Sequence, residues 1–321
     1  MRKLLFLMGL SLCCVAMGMT TAPAMAVPSA VHWTQQSPPA SPSARAYGWT
    51  AFDAAHGYVL LFGGFDGTSY LNDTWAWNGT NWRRFHPASS PSPRNAAGIA
   101  YDSTHHRLIL FGGADATTYD NDTWGWTGSN WQQLSPATSP PARAILGSLT
   151  DDPTIQGLLM YGGFDATGEL SDTWTWTGTN WKLLHPVNSP GPLDPALAYS
   201  PGIGQVVLFG GFDGVNWHGD TWQFNGTDWV IKFPPRSPIG RAGHAMAGVG
   251  GAAVIFGGYN NGDYYSDTWT YDGATWHPGP TGPSARSALG LSLDPVRKQL
   301  VLFGGRNLTT GEYFAETWTL G

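Results

Sequence analysis

The sequence predicts an all-β protein, a six-bladed β-propeller with four antiparallel strands in each blade. A glycine pair closes an apolar run six times at intervals of 47 to 50 residues, and an acid-Thr-Trp triplet follows each pair. No stretch has a helical period long enough to compete. The glycine pairs begin at Gly63, Gly112, Gly162, Gly210, Gly257 and Gly304. The triplets begin at Asp73, Asp122, Asp172, Asp220, Asp267 and Glu316.

Each unit contains four predicted strands. The first, such as residues 47–52, is rich in small residues, which suits the crowded centre of a ring. The second is an apolar run such as residues 58–62, and the third carries the triplet, with alternation placing Trp75 and Trp77 on one face. The fourth bears another Trp after an Asn-Gly or Thr-Gly hairpin turn. Four strands in chain order therefore form one blade.

The two ends of the repeat array predict how the ring closes. The segment around Trp33 resembles a fourth strand without the first three, and the sequence ends after a third strand that contains Trp318. The sixth unit lacks a fourth strand, and the N-terminal strand can supply it. This pairing would also remove exposed sheet edges.

The first 26 residues have the plan of a secretory signal peptide. Arg2 and Lys3 precede an apolar stretch, and residues 24–26 read Ala-Met-Ala, a small-x-small cleavage pattern. We expect a propeller domain over residues 27–321 in a secreted or periplasmic protein, with no membrane insertion after cleavage. Both cysteines, Cys13 and Cys14, would leave with the leader, so the mature domain has no thiol chemistry and no disulfide.

Charge and composition restrict the classes of binding partner that we expect. The formal net charge is −6, and no basic run is present. Net acidity without a basic patch argues against nucleic acid and anionic membranes as partners. We therefore expect a monomer without cofactor or metal that binds a glycan or an extracellular protein ligand.

The repeat resembles the kelch family over essentially the whole of residues 27–321. The resemblance is carried by Pro-x-x-Arg, an apolar run ending in Gly-Gly, an acid-Thr-Trp triplet and a later Trp. It implies the fold but no single activity, because kelch propellers include binding adaptors, a copper oxidase and sugar isomerases. The galactose oxidase copper site uses a cysteine-linked tyrosine, and residues 27–321 contain no cysteine, so that chemistry is not expected here.

The arginines of the Pro-x-x-Arg segments are the first candidate ligand-binding residues. Loops that lead into each first strand share a face with loops between the second and third strands, and guanidinium groups there could bind carboxylate or phosphate. Alternatively, each arginine ties neighbouring loops through carbonyls and nearby acids. The fourth unit has Leu193 at this position. The candidates are Arg45, Arg94, Arg143, Arg241 and Arg286.

A second set of candidates stands three residues before each triplet. Aromatic residues occur there in five of the six units. Such rings could rim a polar pocket for sugars or peptide side chains, or they could pack on the adjacent loop. The set is Tyr70, Tyr119, Glu169, Trp217, Tyr264 and Tyr313. His244 is added because it projects from the same predicted face near Arg241.

These features predict a recognition module that presents one loop-rich face to a glycan or an extended protein segment. The alternative is a carbohydrate-active enzyme, a sugar mutarotase, isomerase or lyase, with Glu169 as general base. An enzyme requires an acid or histidine that is buried at the mouth with a shifted pKa, whereas a binder needs only the rim.

Overall fold

The computed structural model describes residues 31–321, which form a ring of six four-stranded antiparallel sheets. The predicted signal peptide, its cleavage site and both cysteines lie outside the described residues. Blade 1 comprises Trp49–Asp53, Tyr58–Phe65, Tyr70–Trp77 and Trp82–Phe85; blade 2, Gly98–Asp102, Arg107–Phe111, Thr123–Trp126 and Trp131–Leu134; blade 3, Leu149–Asp152, Gly157–Tyr161, Thr173–Trp176 and Trp181–Leu184. Blade 4 comprises Ala196–Ser200, Gln205–Phe209, Thr221–Phe224 and Trp229–Lys232; blade 5, Ala245–Val249, Ala252–Phe256, Thr268–Tyr271 and Trp276–Pro278; blade 6, Gly290–Asp294, Gln299–Phe303, Thr317–Leu320 and Trp33–Gln36.

The ring closes as the sequence predicts. Trp33–Gln36 pairs antiparallel with Thr317–Leu320, so that Gln35 lies opposite Trp318. The innermost strands contact one another around the whole ring, from blade 1 to blade 6 and back to blade 1. The prediction of six blades closed by an N-terminal strand is therefore confirmed.

The outermost strand of every blade is hydrogen-bonded to the preceding blade through one indole. Its tryptophan donates from Nε1 to the hydroxyl of the triplet threonine, as in Trp131 to Thr74 at 2.9 Å. The same bond joins Trp33 in blade 6 to Thr268 in blade 5, so the N-terminal strand takes part. The other four pairs are Trp82–Thr317, Trp181–Thr123, Trp229–Thr173 and Trp276–Thr221. Six equivalent bonds explain why the threonine recurs in each triplet.

The core consists of layers between adjacent blades. The second strand of each blade is almost fully buried, as Val59–Phe62 shows, because both faces of an inner strand pack on neighbouring sheets. The first strands line a central channel of about 320 Å³ and contribute mainly small and aliphatic side chains. Trp49 is an exception, and its ring lies close to Gly147, just before the first strand of blade 3.

The start of the first strand differs from the prediction. We expected it at residue 47, but the strand of blade 1 begins at Trp49. Tyr47 has a φ of 57°, in the left-handed region, which is not compatible with a strand. The backbone turn at Tyr47 directs this residue away from the sheet. Within residues 31–321 no helix is long and apolar enough to cross a membrane.

Candidate functional site

The five candidate arginines are buried and bonded within their own blades. The Arg94 side chain is 1% exposed, and its guanidinium donates to both carboxylate oxygens of Asp122 and to the carbonyl of Gly112. The Asp122 carboxylate also accepts from the indole of Trp124. Arg45, Arg143, Arg241 and Arg286 make the equivalent bonds to Asp73, Asp172, Asp267 and Glu316. We call this set of an arginine, an acid and an indole the blade staple.

The blade staple corresponds to the structural alternative weighed from the sequence. A guanidinium that already serves a carboxylate, a glycine carbonyl and its own loop has little remaining donor capacity. In blade 1, burial opposes ionisation of Asp73, but the hydrogen bond and charge of Arg45 hold its pKa below the usual value. The arginines thus fix the loops of the face rather than line its opening.

Blade 4 lacks the staple because Leu193 replaces the arginine. The side chain of Asp220 is 53% exposed there, and the buried indole nitrogen of Trp222 has no hydrogen-bond partner among residues 31–321. Pro195 follows two residues later and has no N–H to continue the hydrogen bonds that link equivalent residues of other blades, such as Ala96 N to Tyr47 O. The side chain of Asp194 instead accepts from Leu146 N at 3.2 Å. The ring is therefore asymmetric at blade 4.

A cavity of about 420 Å³ opens on the face that carries the second-to-third-strand loops. We call it the mouth cavity. It shares no lining residue with the central channel below it. Most of its lining comes from short hairpins such as Phe164–Asp165 with Gly168–Glu169, which pair with the loop that follows each arginine position. Its side chains include Tyr47, Phe65, Tyr70, Asn95, Tyr119, Phe164, Glu169, Asp194, Phe212, Tyr259 and Arg306.

The predicted rim residues divide into two groups of three. Tyr70, Tyr119 and Glu169 line the mouth cavity directly. The other three support lining rings from behind. Trp217 packs on Phe212 with ring centroids 4.8 Å apart, Tyr264 stacks on Tyr259 at 5.9 Å, and Tyr313 meets Phe65 edge-on at 6.1 Å. Three of the predicted residues therefore line the cavity, and the other three pack on aromatic residues that line it.

Tyr47 lines the mouth cavity from the segment just before the first strand of blade 1. It belongs to blade 1, yet its hydroxyl interacts electrostatically with Arg306 of blade 6, Tyr259 of blade 5 and Asp194 of blade 4. The Arg306 guanidinium stands 4.6 Å from the centre of the Tyr47 ring. Burial raises the pKa of Tyr47 to about 12, so its hydroxyl remains a hydrogen-bond donor at neutral pH.

Asp194 is the most perturbed carboxyl group of the mouth cavity. It is 5% exposed. Burial raises its pKa to about 8; the Leu146 N–H opposes the rise, and the nearby Glu169 carboxylate adds to it. Asp194 therefore holds a proton at neutral pH, and the strong shift in a cavity marks a candidate functional group.

His244 does not belong to the mouth cavity. It is 1% exposed, packs edge-on against Phe209 at 5.5 Å, and lines neither cavity. Burial, with a smaller effect from Arg241, lowers its pKa to about 3, so the imidazole is neutral. The expectation that His244 projects from the face is wrong, because the backbone before the strand of blade 5 turns it into the layer between blades 4 and 5.

Several lining residues were not proposed as ligand-binding from the sequence, among them Tyr47, Asp194, Tyr259 and Arg306. The sequence does contain a signal for two of them, because Asp194 and Arg306 occupy repeat positions at which the other units carry mainly small or aromatic residues. Among the described residues, no group of three or more His, Cys, Asp or Glu is placed to hold a metal ion.

The fold and the repeated staple define a kelch-type propeller. Residues 130–305 match the family model described as the KLHDC2/KLHL20/DRC7 Kelch-repeats domain, which is more than half of the chain. The chain belongs to this Kelch-repeat family, whose domains generally mediate protein interactions. A search of curated proteins finds no match to this chain.

Proposed function

We propose that this propeller is an exported recognition module that binds an extended protein segment in the mouth cavity. One observation carries the proposal: the staples repeat in five blades, whereas the mouth cavity is lined unevenly, with Glu169 from blade 3, Asp194 from blade 4 and Arg306 from blade 6. Repeated residues build a scaffold, and a single binding site needs unlike residues from unlike blades. Export is supported by the leader-like residues 1–26.

The chemistry of the cavity suits a segment with mixed side chains. Tyr70, Tyr119 and Tyr259 offer flat apolar rings with hydrogen-bonding tips, and such rings recur at protein-binding surfaces. Asn95 adds an amide that can pair with a peptide backbone. A cavity of about 420 Å³ accommodates a few side chains rather than a folded domain.

The test is selection from a displayed library of random nine-residue peptides on the immobilised propeller, run beside a glycan array. We expect peptides whose affinity falls at least tenfold with Tyr119→Ala. The matched control is Phe233→Ala, an exposed aromatic that does not line the mouth cavity. Binding of glycans without selection of any peptide would refute the proposed ligand. An equal loss of peptide affinity with Tyr119→Ala and Phe233→Ala would refute the proposed site.

A second candidate is a sugar mutarotase or isomerase that uses the same mouth cavity. It is favoured by Asp194, a buried carboxyl with a pKa of about 8 that could exchange a proton with a sugar hydroxyl. Asp194→Asn should abolish anomer interconversion, followed by NMR of a panel of reducing sugars. Equal rates with the wild-type and variant proteins, both matching the uncatalysed rate, would remove this candidate.

A further inference from the structure

The mouth cavity has opposite charges on opposite sides. Glu169 and Asp194 belong to blades 3 and 4, and Arg306 belongs to blade 6. In a six-bladed ring blade 6 stands across the axis from blade 3. Tyr47 and Tyr259 line the same cavity, and the Arg306 guanidinium lies over the Tyr47 ring. A polar strip therefore runs across the opening, with a cation at one end and carboxyl groups at the other.

The cationic end has unused hydrogen-bonding capacity. Within residues 31–321, Arg306 has no carboxylate oxygen within 4.0 Å, in contrast to the staple arginines. Its buried Nε has no hydrogen-bond partner in the described chain. Buried donors are nearly always satisfied in native proteins. The Arg306 guanidinium thus lacks the acceptor that a ligand in the mouth cavity would supply.

The acidic end also has free acceptors. Asp194 is 95% covered and accepts from Leu146 N through Oδ1, while Oδ2 has no hydrogen bond to residues 31–321. Glu169 has no ion pair or side-chain hydrogen bond within the same residues. Phe164 and Phe212 line the cavity near these acids, and aromatic faces favour a cation. Carboxyl oxygens and aromatic rings together suit an ammonium or guanidinium group.

We propose that the mouth cavity selects a segment that places a basic side chain against Asp194 and Glu169 and an acidic side chain against Arg306. This inference rests on the proposed function and adds the ligand's charge pattern and direction to it. The basic group interacts with the Glu169 carboxylate and favours the ionised form of Asp194, whose proton passes to solvent on binding, and the acidic group completes the hydrogen bonds of a guanidinium that contacts the Tyr47 ring. A segment with the reverse order of charges fits only if it runs in the opposite direction.

The test compares peptides selected from the same nine-residue library by four proteins: the wild type, Asp194→Asn, Glu169→Gln and Arg306→Gln. Asn keeps an oxygen for the Leu146 N–H, and Gln removes the charge of Arg306. The wild-type protein should enrich peptides that carry both a basic and an acidic residue at a fixed spacing. Asp194→Asn should lose only the basic preference, and Arg306→Gln only the acidic one, each with about tenfold weaker binding of a wild-type-selected peptide.

Three results would overturn the inference. The first is a wild-type selection without basic residues whose binding still depends on Tyr119. The second is a basic preference unchanged by both Asp194→Asn and Glu169→Gln, and the third is an acidic preference unchanged by Arg306→Gln. In each of these the proposed function stands. Failure to select any peptide would instead refute the proposed function itself. Thermal unfolding of each variant verifies that the propeller is intact.

Discussion

Replacing Arg94 by Ala should lower the free energy of unfolding of the propeller. It should leave the affinity for a ligand in the mouth cavity unchanged. The side chain is 1% exposed and bridges Asp122, the Gly112 carbonyl and its own loop. Removing one partner of a buried ion pair costs about 3–5 kcal/mol because the other is left uncompensated. The Asp122 side chain is 20% exposed, so water screens part of its charge, and we expect the lower end, about 3 kcal/mol.

The measurement is urea unfolding followed by tryptophan fluorescence. The matched control is Arg306→Ala, which removes an unpaired arginine and should cost under about 1 kcal/mol. Arg94→Lys should recover little, because an ammonium cannot reproduce the forked contact with a carboxylate. A loss of less than about 1 kcal/mol for Arg94→Ala together with weaker binding of a selected peptide would refute the staple and return the arginine to the binding site.

Three further predictions concern closure, pH and backbone conformation. Thr268→Val should leave the Trp33 indole nitrogen without an acceptor and cost about 1–3 kcal/mol in urea unfolding; no change would mean that the bond does not hold the closing strand. Because the pKa of Asp194 is raised to about 8 in the folded state, the folded protein binds the extra proton, and stability should fall as pH rises from about 4 to 8, by at most about 1.4 kcal/mol per unit. Asp194→Asn should abolish this fall between pH 5 and 8.5, and parallel pH profiles for variant and wild type would contradict it. The charged and titratable groups that act on Asp194 or on its neighbours in the cavity are Glu169, Arg306, Tyr47 and Tyr259. Gly112→Ala should lower the thermal midpoint far more than Gly57→Ala: both have positive φ, but an added Cβ would lie 2.7 Å from the Arg143 carbonyl only at Gly112, so equal shifts would show that the close approach is unimportant.

The scaffold could be predicted from sequence because its physical causes recur six times. Each glycine pair adopts positive φ where chain segments meet, each triplet threonine accepts from an indole, and Trp33 supplies the missing fourth strand. Repetition makes such signals visible in a single sequence. Strand limits were less certain, as Tyr47 shows, because a left-handed residue next to a strand looks the same as a strand residue in an apolar pattern.

The mouth cavity could be predicted only in part, because its residues depart from the repeat. Tyr70, Tyr119 and Glu169 were found through a common offset, whereas Asp194 and Arg306 stand at positions where most units carry other residue types. His244 was misplaced because the backbone turn before the strand of blade 5, where Gly243 has a positive φ, is not visible in the sequence pattern. The sequence left two roles open for the arginines, ligand binding or bonds to carbonyls and nearby acids, and the structure shows such partners for each of them.

The pairing of residues 33–36 with residues 317–320 has a consequence for biosynthesis. A growing chain carries Trp33 without its neighbours until nearly 300 further residues have been made, since Gln36 and Thr319 are 283 positions apart. Closing so long a loop is slow compared with forming the local hairpins of each blade. Until then the third strand of blade 6, Thr317–Leu320, has an unpaired edge, and such edges are prone to aggregate. We therefore expect newly made protein to depend on chaperone protection mainly before this final step.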